Sequence, residues 1–395
     1  MHGVEGNPLT PFLLKSNIKS HATEIEAIYN SNGERVDKIT SAKFDQKLWR
    51  LFDDMKDVAN GKGFNVYKMH GNIHSIKDFL SENKDIILQD LNGEGEKKLF
   101  ANFFMCMEDH IGENFEKVSF FGCGTDVELE GDHLVFPNGY KELLDFMIQP
   151  SIMEKVKTKQ IVNQITTTEK QVIVDTLDKS YYADAVLVSV PVGVLKANSI
   201  RFNPPLPDWK EQAIERIGFG LFNKIFIQFE SHFWPEDADL ITLCSEAEED
   251  FSVKEIHHSK MSIHDPFLLS FVNLKRIAGQ NTIFGFFHSE RARYFETLAD
   301  DVVLEICLTK LRKTFGSLPK VVKFYITKWN SDPFSRGSYS HIRLGSSAQD
   351  IEILAKPIDN KIFFAGEATF PKHYSTVHGA FSSGLVAADC ISKVF

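Results

Sequence analysis

The sequence contains little cysteine and no long apolar run, and these absences exclude several protein classes. Its 395 residues include five cysteines, an odd number without any C-x-x-C pair. That pattern is unlike a disulfide framework or a zinc site, and it indicates a reducing compartment and no metal centre. No apolar run reaches membrane-spanning length, no signal-peptide core opens the chain, and Ser392–Phe395 is not a peroxisomal address. The sequence therefore predicts a cytoplasmic protein with no membrane partner.

Basic residues are also scarce relative to acidic ones. Lys and Arg total 44 against 54 Asp and Glu, which gives a formal net charge of −10. This balance argues against a nucleic-acid partner and favours a cationic substrate or partner. Acidity that serves only solubility is the simpler alternative, and charge alone does not separate the two.

Phenylalanine is unusually frequent, while the rest of the composition is typical of a globular protein. Hydrophobic residues make up 43% and charged residues 25% of the chain, and these values exclude a disordered protein. The 34 phenylalanines predict an aromatic-rich core or pocket. A length of 395 residues predicts two or three folded units.

Hydrophobic periodicity predicts helices first and strands later, and hence a mixed α/β fold. Residues 8–120 are predicted mainly helical, with residues 91–98 as a surface loop. The Pro-rich segment 202–209 is predicted to cross between domains. The other predicted elements are helices at Trp209–Ile217 and Asp300–Phe315, and strands at 223–230, within 251–288, at 321–329 and at 361–367.

The segment AGEATFPKHYSTVHGAFSSGLVAADC (365–390) predicts a strand, a polar loop and a helix with small residues on one face. Ser375 or Thr376 is the predicted helix N-cap. The free N–H groups of that helix end would face the carboxyl end of the strand, where open α/β sheets bind ligands. Glu367, at the strand's end, is suited to accept hydrogen bonds from a polyol. A solvated glutamate in an ordinary strand–loop–helix is an equal alternative on these grounds.

The same segment resembles the C-terminal FAD signature of the flavin-containing amine oxidases. The resemblance implies that Glu367, after Gly366, holds the ribityl or phosphate part of FAD. It also implies that Thr376 and Val377 meet the pyrimidine edge of the flavin, where a helix N-terminus stabilises negative charge. No cysteine lies within 365–376, so the implied FAD is non-covalent.

Further segments resemble the same family in the same order along the chain. KWNSDPFSRGSYS (328–340) resembles its aromatic segment beside the flavin and substrate, which implies a flavin contact for Trp329 and a nearby place for Tyr339. Tyr374 matches the aromatic wall of the amine site, which suits a substrate cation. For each aromatic residue, a place in the core is the simpler alternative.

Two more matches imply site residues. VNLKRIAGQNTIFGFF (272–287) resembles the segment with the active-site lysine that holds a water, which implies this role for Lys275. Because Arg276 is the next residue, the match to the active-site lysine is uncertain by one position. QIVNQI (160–165) resembles the strand whose valine, here Val162, contacts the adenine through its backbone.

The family's opening G-x-G-x-x-G turn is missing. The chain instead begins MHGVEGNPLTP, which resembles an internal H-G-x-x-G-N-P segment of the family and implies a substrate-side role for His2. The FAD-binding domain is therefore expected to be incomplete at its N-terminus. Either the sequence is a fragment of an active enzyme or the chain is shortened in fact; we favour the first, because lost central strands would expose unpaired sheet edges.

The resemblance implies a two-domain flavin amine oxidase fold, with a Rossmann-like FAD-binding domain and a substrate domain of mixed sheet and helices. The predicted FAD-binding segments are 132–200 and 345–395, and the predicted substrate-binding segments are 5–131 and 201–344.

Within the family, the polyamine oxidase branch fits the sequence best. The chain lacks the attachment cysteine and membrane tail of monoamine oxidases, and the helical insertion and extra N-terminal domain of flavin histone demethylases. The implied reaction oxidises a secondary amine of spermine, spermidine or an acetylated derivative by hydride transfer to flavin N5, with imine hydrolysis and reduction of O2 to H2O2. Lys275, His2 and Tyr374 are the implied catalytic residues. An inactive remnant that binds polyamines or a paralogue is the alternative.

Overall fold

The protein is described by a computed structural model covering residues 1–23, 26–62, 66–69, 73–244 and 269–395. The strands predicted within residues 251–268 lie outside the described residues. Contacts divide the chain into two compact units. The first comprises residues 1–22, 125–219 and 332–395, and the second comprises residues 23–124 and 220–331.

Helices dominate the region before residue 125 and recur between the later strands. In chain order they are α1 (Thr10–Lys15), α2 (Lys38–Ala59), α3 (Ile76–Glu82), α4 (Lys84–Leu88), α5 (Gly93–Phe104), α6 (Met107–Ile111), α7 (Lys141–Met147), α8 (Pro150–Met153), α9 (Val192–Lys196), α10 (Asp208–Arg216), α11 (Leu274–Ala278), α12 (Ser289–Glu296), α13 (Asp300–Phe315), α14 (Ala348–Ala355) and α15 (Val377–Ser392). Across the described ranges, none of these helices combines the length and apolarity needed to cross a bilayer.

Strands form sheets in both units. In chain order they are β1 (His21–Ala22), β2 (Glu26–Tyr29), β3 (Leu134–Val135), β4 (Val162–Thr167), β5 (Val172–Thr176), β6 (Ser180–Ala183), β7 (Val186–Val188), β8 (Arg201–Asn203), β9 (Gly218–Gly220), β10 (Phe222–Phe229), β11 (Leu240–Leu243), β12 (Leu269–Asn273), β13 (Thr282–His288), β14 (Val321–Ile326), β15 (Tyr339–His341) and β16 (Ile362–Phe364). The predicted mixed α/β class is confirmed.

The first unit contains a four-stranded sheet in the order β6-β5-β4-β8 and a parallel pair, β7 and β16. Its larger core gathers apolar side chains from these strands and from α9, α10 and α14. Lys210 in α10 is fully buried, and its ammonium donates to the carbonyls of Ile353, Leu354 and Lys356 at 2.9, 2.8 and 2.5 Å. These bonds satisfy carbonyls at the C-terminal end of α14 and fix α10 against it.

The second unit contains a six-stranded sheet in the order β14-β10-β13-β12-β11-β2. Its pairs are antiparallel except β11 with β2, and β10 aligns with β13 so that Ile225 faces Gly285. One face of this sheet packs against α12 and α13. A second core, built from helices α2 to α6, is rich in phenylalanine, and the rings of Phe79 and Phe120 stack at 4.5 Å. The prediction of an aromatic-rich core is confirmed.

The predicted loop at residues 91–98 was wrong. Helix α5 begins at Gly93, and two glycines with two glutamates form its first turn. The buried stripe of Phe100, Phe103 and Phe104 in the following turns stabilises the helix against the core, and this packing outweighs weak local propensity.

The predicted domain segments can be placed against the two units. Segments 132–200 and 345–395 both fall in the first unit, whereas segments 5–131 and 201–344 are divided between the two units. The role of each unit in binding FAD or substrate stays a prediction.

Candidate active site

Gly366 follows the end of β16 and opens the candidate cofactor loop. Its φ of 136° lies in a region that favours glycine, and no atom lies within 4 Å of the place where a Cβ would stand. Its N–H donates to Ser383 Oγ of α15 at 2.9 Å. The backbone therefore stays open at the strand's end while it is tied to the helix.

Glu367 comes next and is the hub of a hydrogen-bond network. Its Oε2 accepts from Ser340 Oγ at 2.6 Å and from the backbone N–H of Ser375 at 2.8 Å. The N–H of Ser340 lies 3.3 Å from both carboxylate oxygens. Burial raises the pKa of Glu367, while the bonds from Ser340 and Ser375 oppose that rise. Among the described residues, Oε1 has only the long Ser340 contact, so it retains capacity to accept from a hydroxyl group.

Thr376 is the N-cap of α15. The sequence predicted either Ser375 or Thr376 in this position. Its Oγ1 accepts from the N–H of Gly379 at 2.9 Å and donates to the carbonyl of His373 at 2.7 Å. Any Cβ on Gly379 would lie 1.8 Å from that carbonyl, so only glycine permits this close approach. Among the described residues, no acceptor binds the N–H groups of Val377 and His378.

These features fit a flavin. An acceptor stands at the end of a strand, and free N–H donors stand at the positive end of the 16-residue helix α15. Gly366 and Glu367 bond to Ser383 and Ser375, which places them beside the start of α15 at Thr376 and Val377. Val377 exposes 47% of its surface.

The two candidate tyrosines lie beside the Glu367 network. Tyr339 precedes Ser340 in β15, Tyr374 precedes Ser375, and both tyrosines are half-buried. Tyr374 also packs against the larger core of the first unit. The structure thus brings the segments of both tyrosines to one carboxylate.

His2 and Val162 belong to the same unit but not to this network. His2 is exposed, and its Nδ1 lies 3.2 Å from Nδ1 of His133. The turn after it is fixed by Asn7, whose amide donates to the carbonyl of Gly3 at 2.9 Å. Val162 begins β4 opposite Thr176, next to an irregularity in the register.

Lys275 lies in the second unit, just after the end of β12. Asn273 caps the short helix α11 by accepting from the N–H groups of Lys275 and Arg276. Arg276 Nε donates to the buried carboxylate of Asp239 at 2.8 Å. Within the described ranges, the ammonium of Lys275 makes no hydrogen bond or ion pair.

Trp329 also lies in the second unit, on the loop after β14, and 40% of its surface is exposed. Its backbone N–H donates to Asn223 Oδ1 at 3.1 Å, and Asn223 Nδ2 donates to Glu296 Oε1 at 2.7 Å. The carboxylate of Glu296 also accepts from the N–H groups of Asn330 and Ser331 at 2.9 and 2.8 Å. One glutamate at the end of α12 therefore fixes the whole loop.

Sequence reasoning missed the polar residues that hold these loops. Ser340, Asn223 and Glu296 match no chemical motif, and their role follows from partners that are distant along the chain. Ser375 was predicted only as a candidate helix cap, whereas its backbone N–H donates to Glu367.

It also missed an aromatic face on the six-stranded sheet. Phe222 stacks on Phe286 at 4.9 Å, Phe226 stacks on Phe284 at 5.0 Å, and Lys224 Nζ lies 5.8 Å from the rings of Phe222 and Phe284. Burial alternates along β10, so Phe222, Lys224 and Phe226 share its less buried face.

Comparison with known proteins places the chain in a family. Residues 2–392 match the family described as flavin containing amine oxidoreductase. Lysine-specific histone demethylase 1 homolog 2 of Arabidopsis thaliana is 31% identical over 401 residues, which cover 99% of this chain and 50% of that protein. Polyamine oxidase 4 of Oryza sativa subsp. japonica is 28% identical over 371 residues, which cover 93% of this chain and 70% of that protein.

A solved structure shows the same fold. Cyclohexylamine oxidase from Brevibacterium oxydans IH-35A matches with a TM-score of 0.71 and 15% identity, over 100% of this chain and 87% of that chain. The chain spans about half the length of the Arabidopsis relative. From residues 2 to 392, the chain belongs to the family of flavin-containing amine oxidoreductases, and it has their fold.

Proposed function

We propose that the chain oxidises a secondary amine of a polyamine, such as spermine, spermidine or an acetylated form, with non-covalent FAD. The observation that carries this proposal is the pairing of Glu367 with the N-terminus of α15, which together fit a flavin. The polyamine oxidases among the relatives and the net charge of −10 support a polycationic substrate.

Each candidate residue would have a defined task. Oε1 of Glu367 would accept from a ribityl hydroxyl, and the N–H groups of Thr376 and Val377 would face the pyrimidine edge. When bound, FAD supplies the two-electron redox chemistry that oxidises the carbon next to nitrogen and reduces O2 to H2O2. Val162 would contact the adenine and Trp329 the flavin ring.

The amine would be oriented by the remaining residues. Tyr374 and Tyr339 would form apolar walls that favour a cation or its neighbouring methylene group. His2 would orient the amine or accept its proton, so that a neutral nitrogen reacts. Lys275 would hold the water, since its ammonium makes no ion pair within the described residues.

A methylated lysine side chain is a second candidate substrate. Demethylase relatives match this chain at least as well as the polyamine oxidases do. Histone demethylase-like protein A of Aspergillus fumigatus (strain ATCC MYA-4609 / CBS 101355 / FGSC A1100 / Af293) is 35% identical over 300 residues, 73% of this chain and 27% of that protein. Both substrates present a secondary or tertiary amine on an aliphatic chain, so the same oxidation serves either.

Peroxide formation with a panel of amines tests the proposal. The FAD-loaded chain is incubated with spermine, spermidine, N1-acetylspermine and a dimethyl-lysine peptide, and H2O2 is measured. Turnover of the polyamines alone supports the first candidate, and turnover of the peptide alone supports the second. If no amine yields peroxide although spermine binds to the chain, both candidate reactions are wrong, and the result favours an inactive binding protein.

A further inference from the structure

Three segments of the first unit meet at one carboxylate. Ser340 lies in β15, Glu367 starts the turn after β16, and Ser375 lies just before α15. Glu367 Oε2 accepts from Ser340 Oγ at 2.6 Å and from the N–H of Ser375 at 2.8 Å. Ser375 Oγ in turn donates to the carbonyl of Ser340. The three residues therefore form a closed ring of hydrogen bonds, and Ser340 is fully buried within it.

Ser375 is held in a backbone conformation that serine rarely adopts. Its φ is 63°, in the left-handed region, which is unfavourable for a residue with a Cβ. This conformation reverses the chain between Tyr374 and the N-cap Thr376. The hydrogen bonds of the Ser375 N–H and hydroxyl stabilise it, so the direction of Tyr374 relative to α15 depends on the ring.

Each of the two serines directly follows a tyrosine that is a candidate wall of the amine site. Tyr339 directly precedes Ser340, and Tyr374 directly precedes Ser375. A shift of either serine moves the adjoining Cα of a tyrosine, because consecutive Cα atoms are fixed about 3.8 Å apart. The two tyrosines are thus coupled through Oε2 of Glu367, while Oε1 keeps capacity to accept from a ligand hydroxyl.

We propose that Ser340 and Ser375 are positioning residues that use Oε2 of Glu367 to fix Tyr339, Tyr374 and the start of α15 in one geometry. This inference rests on the proposed function, in which the tyrosines wall the amine site. Glu367 then serves two tasks with two oxygens: one orders the amine walls and the other faces the cofactor. Amine oxidation and cofactor binding become separable by mutation of the serines.

The test compares four chains: the unmutated chain, Ser340→Ala, Ser375→Ala and the control Ser392→Ala. Ser392 is an exposed serine of α15 that bonds only to the carbonyl of Asp389. For each chain, FAD affinity is measured by fluorescence, and the rate of flavin reduction by saturating spermine is measured anaerobically. Hydrogen exchange of residues 368–380 is measured without FAD.

The expected result is a split between the two functions. Ser340→Ala and Ser375→Ala lower the reduction rate about tenfold, because misplaced walls lose the reactive orientation, while FAD affinity changes less than about threefold. Exchange at residues 368–380 becomes faster. Ser340→Thr, which keeps the hydroxyl, restores the rate, and the control behaves as the unmutated chain.

Other outcomes contradict the inference. If the serine variants exchange faster but keep the reduction rate of the unmutated chain, the ring stabilises the structure and does not position the tyrosines for catalysis. If FAD affinity falls in parallel with the reduction rate, the two oxygens of Glu367 do not have separate tasks. Ser375→Gly, which relieves the left-handed strain, serves if Ser375→Ala does not fold. If spermine fails to reduce the flavin of the unmutated chain, the proposed function is wrong. Hydrogen exchange of residues 368–380 then tests the hydrogen-bond ring by itself, and equal exchange in all four chains would overturn the inference.

Discussion

Lys275 and Arg276 are adjacent cations that the fold holds in different ways. Arg276 donates to the buried carboxylate of Asp239 and contacts the carbonyl of Glu236 at 3.4 Å. The ammonium of Lys275 has no such partner within the described ranges. An arginine that neutralises a buried acid serves the fold, whereas an uncommitted ammonium is available to order a water. These contacts support the proposal that Lys275, rather than Arg276, holds the water.

Substitution separates the two cations. Lys275→Met is expected to lower the rate of flavin reduction or reoxidation at least tenfold with little effect on stability. Arg276→Met is expected to cost about 1–3 kcal/mol of stability, because the buried carboxylate of Asp239 loses the charge-assisted bond from Arg276 Nε, and to retain chemistry. Stopped-flow spectroscopy and thermal unfolding measure both effects. The reverse pattern would place the water-holding role at Arg276.

Glu26 makes the stability of the second unit depend on pH. Burial raises its pKa to about 7, the hydrogen bond from Thr242 opposes the rise, and Asp45 adds to it. A glutamate with a raised folded pKa favours folding below its ordinary pKa, about 4.5, and this contribution is lost as the pH rises through about 7.

Glu26→Gln is therefore expected to stabilise the protein at pH 8 by roughly 2 kcal/mol and to change little at pH 5. Melting temperatures at the two pH values measure this, with the exposed Glu230→Gln as the control. Equal effects at both pH values would show that Glu26 is already ionised at pH 5.

At the scale of elements, the loop after β14 depends on one helix end. Glu296, the last residue of α12, binds Asn223 and the N–H groups of Asn330 and Ser331. A carboxylate can accept these bonds with two oxygens, whereas an amide offers one. The position of Trp329 therefore depends on the charge state and chemistry of residue 296.

Glu296→Gln is expected to loosen this loop and to cost about 1–2 kcal/mol of stability. Quenching of tryptophan fluorescence by acrylamide should increase, since Trp329 becomes more accessible. Glu305→Gln, which alters an exposed ion pair with Arg312, is the matched control and should change neither quantity. Unchanged quenching in Glu296→Gln would show that Asn223 alone fixes the loop.

Elements with strong periodicity were predictable from the sequence, and those fixed by distant packing were not. The helix predicted at Asp300–Phe315 is α13, with the same bounds. The start of helix α5 was predicted as a loop because its first turn is polar and glycine-rich, whereas burial of the following phenylalanines against the core stabilises the helix from Gly93. The Glu367 ring was likewise beyond the sequence, because Ser340 and Ser375 lie 27 and 8 positions from the glutamate. Motif residues Glu367 and Thr376 could be named because their local pattern carries the signal.

At the scale of the whole molecule, the net charge of −10 bears on substrate capture. An acidic protein attracts a polycation electrostatically, and salt screens this attraction beyond a Debye length of about 8 Å at physiological ionic strength. For spermine, kcat/KM is therefore expected to fall roughly fivefold between low and moderately high salt. A monoamine substrate should show a much smaller decrease. Equal salt dependence for the two amines would exclude electrostatic capture of the polyamine.

The proposed function requires a bound flavin that an amine can reduce. The most direct measurement is the visible spectrum of the 395-residue chain after incubation with FAD and removal of free cofactor, before and after anaerobic addition of spermine. We expect the band of oxidised flavin to remain with the protein, to bleach with spermine and to return with air. A chain that retains no flavin, or whose bound flavin no amine bleaches, would contradict the account.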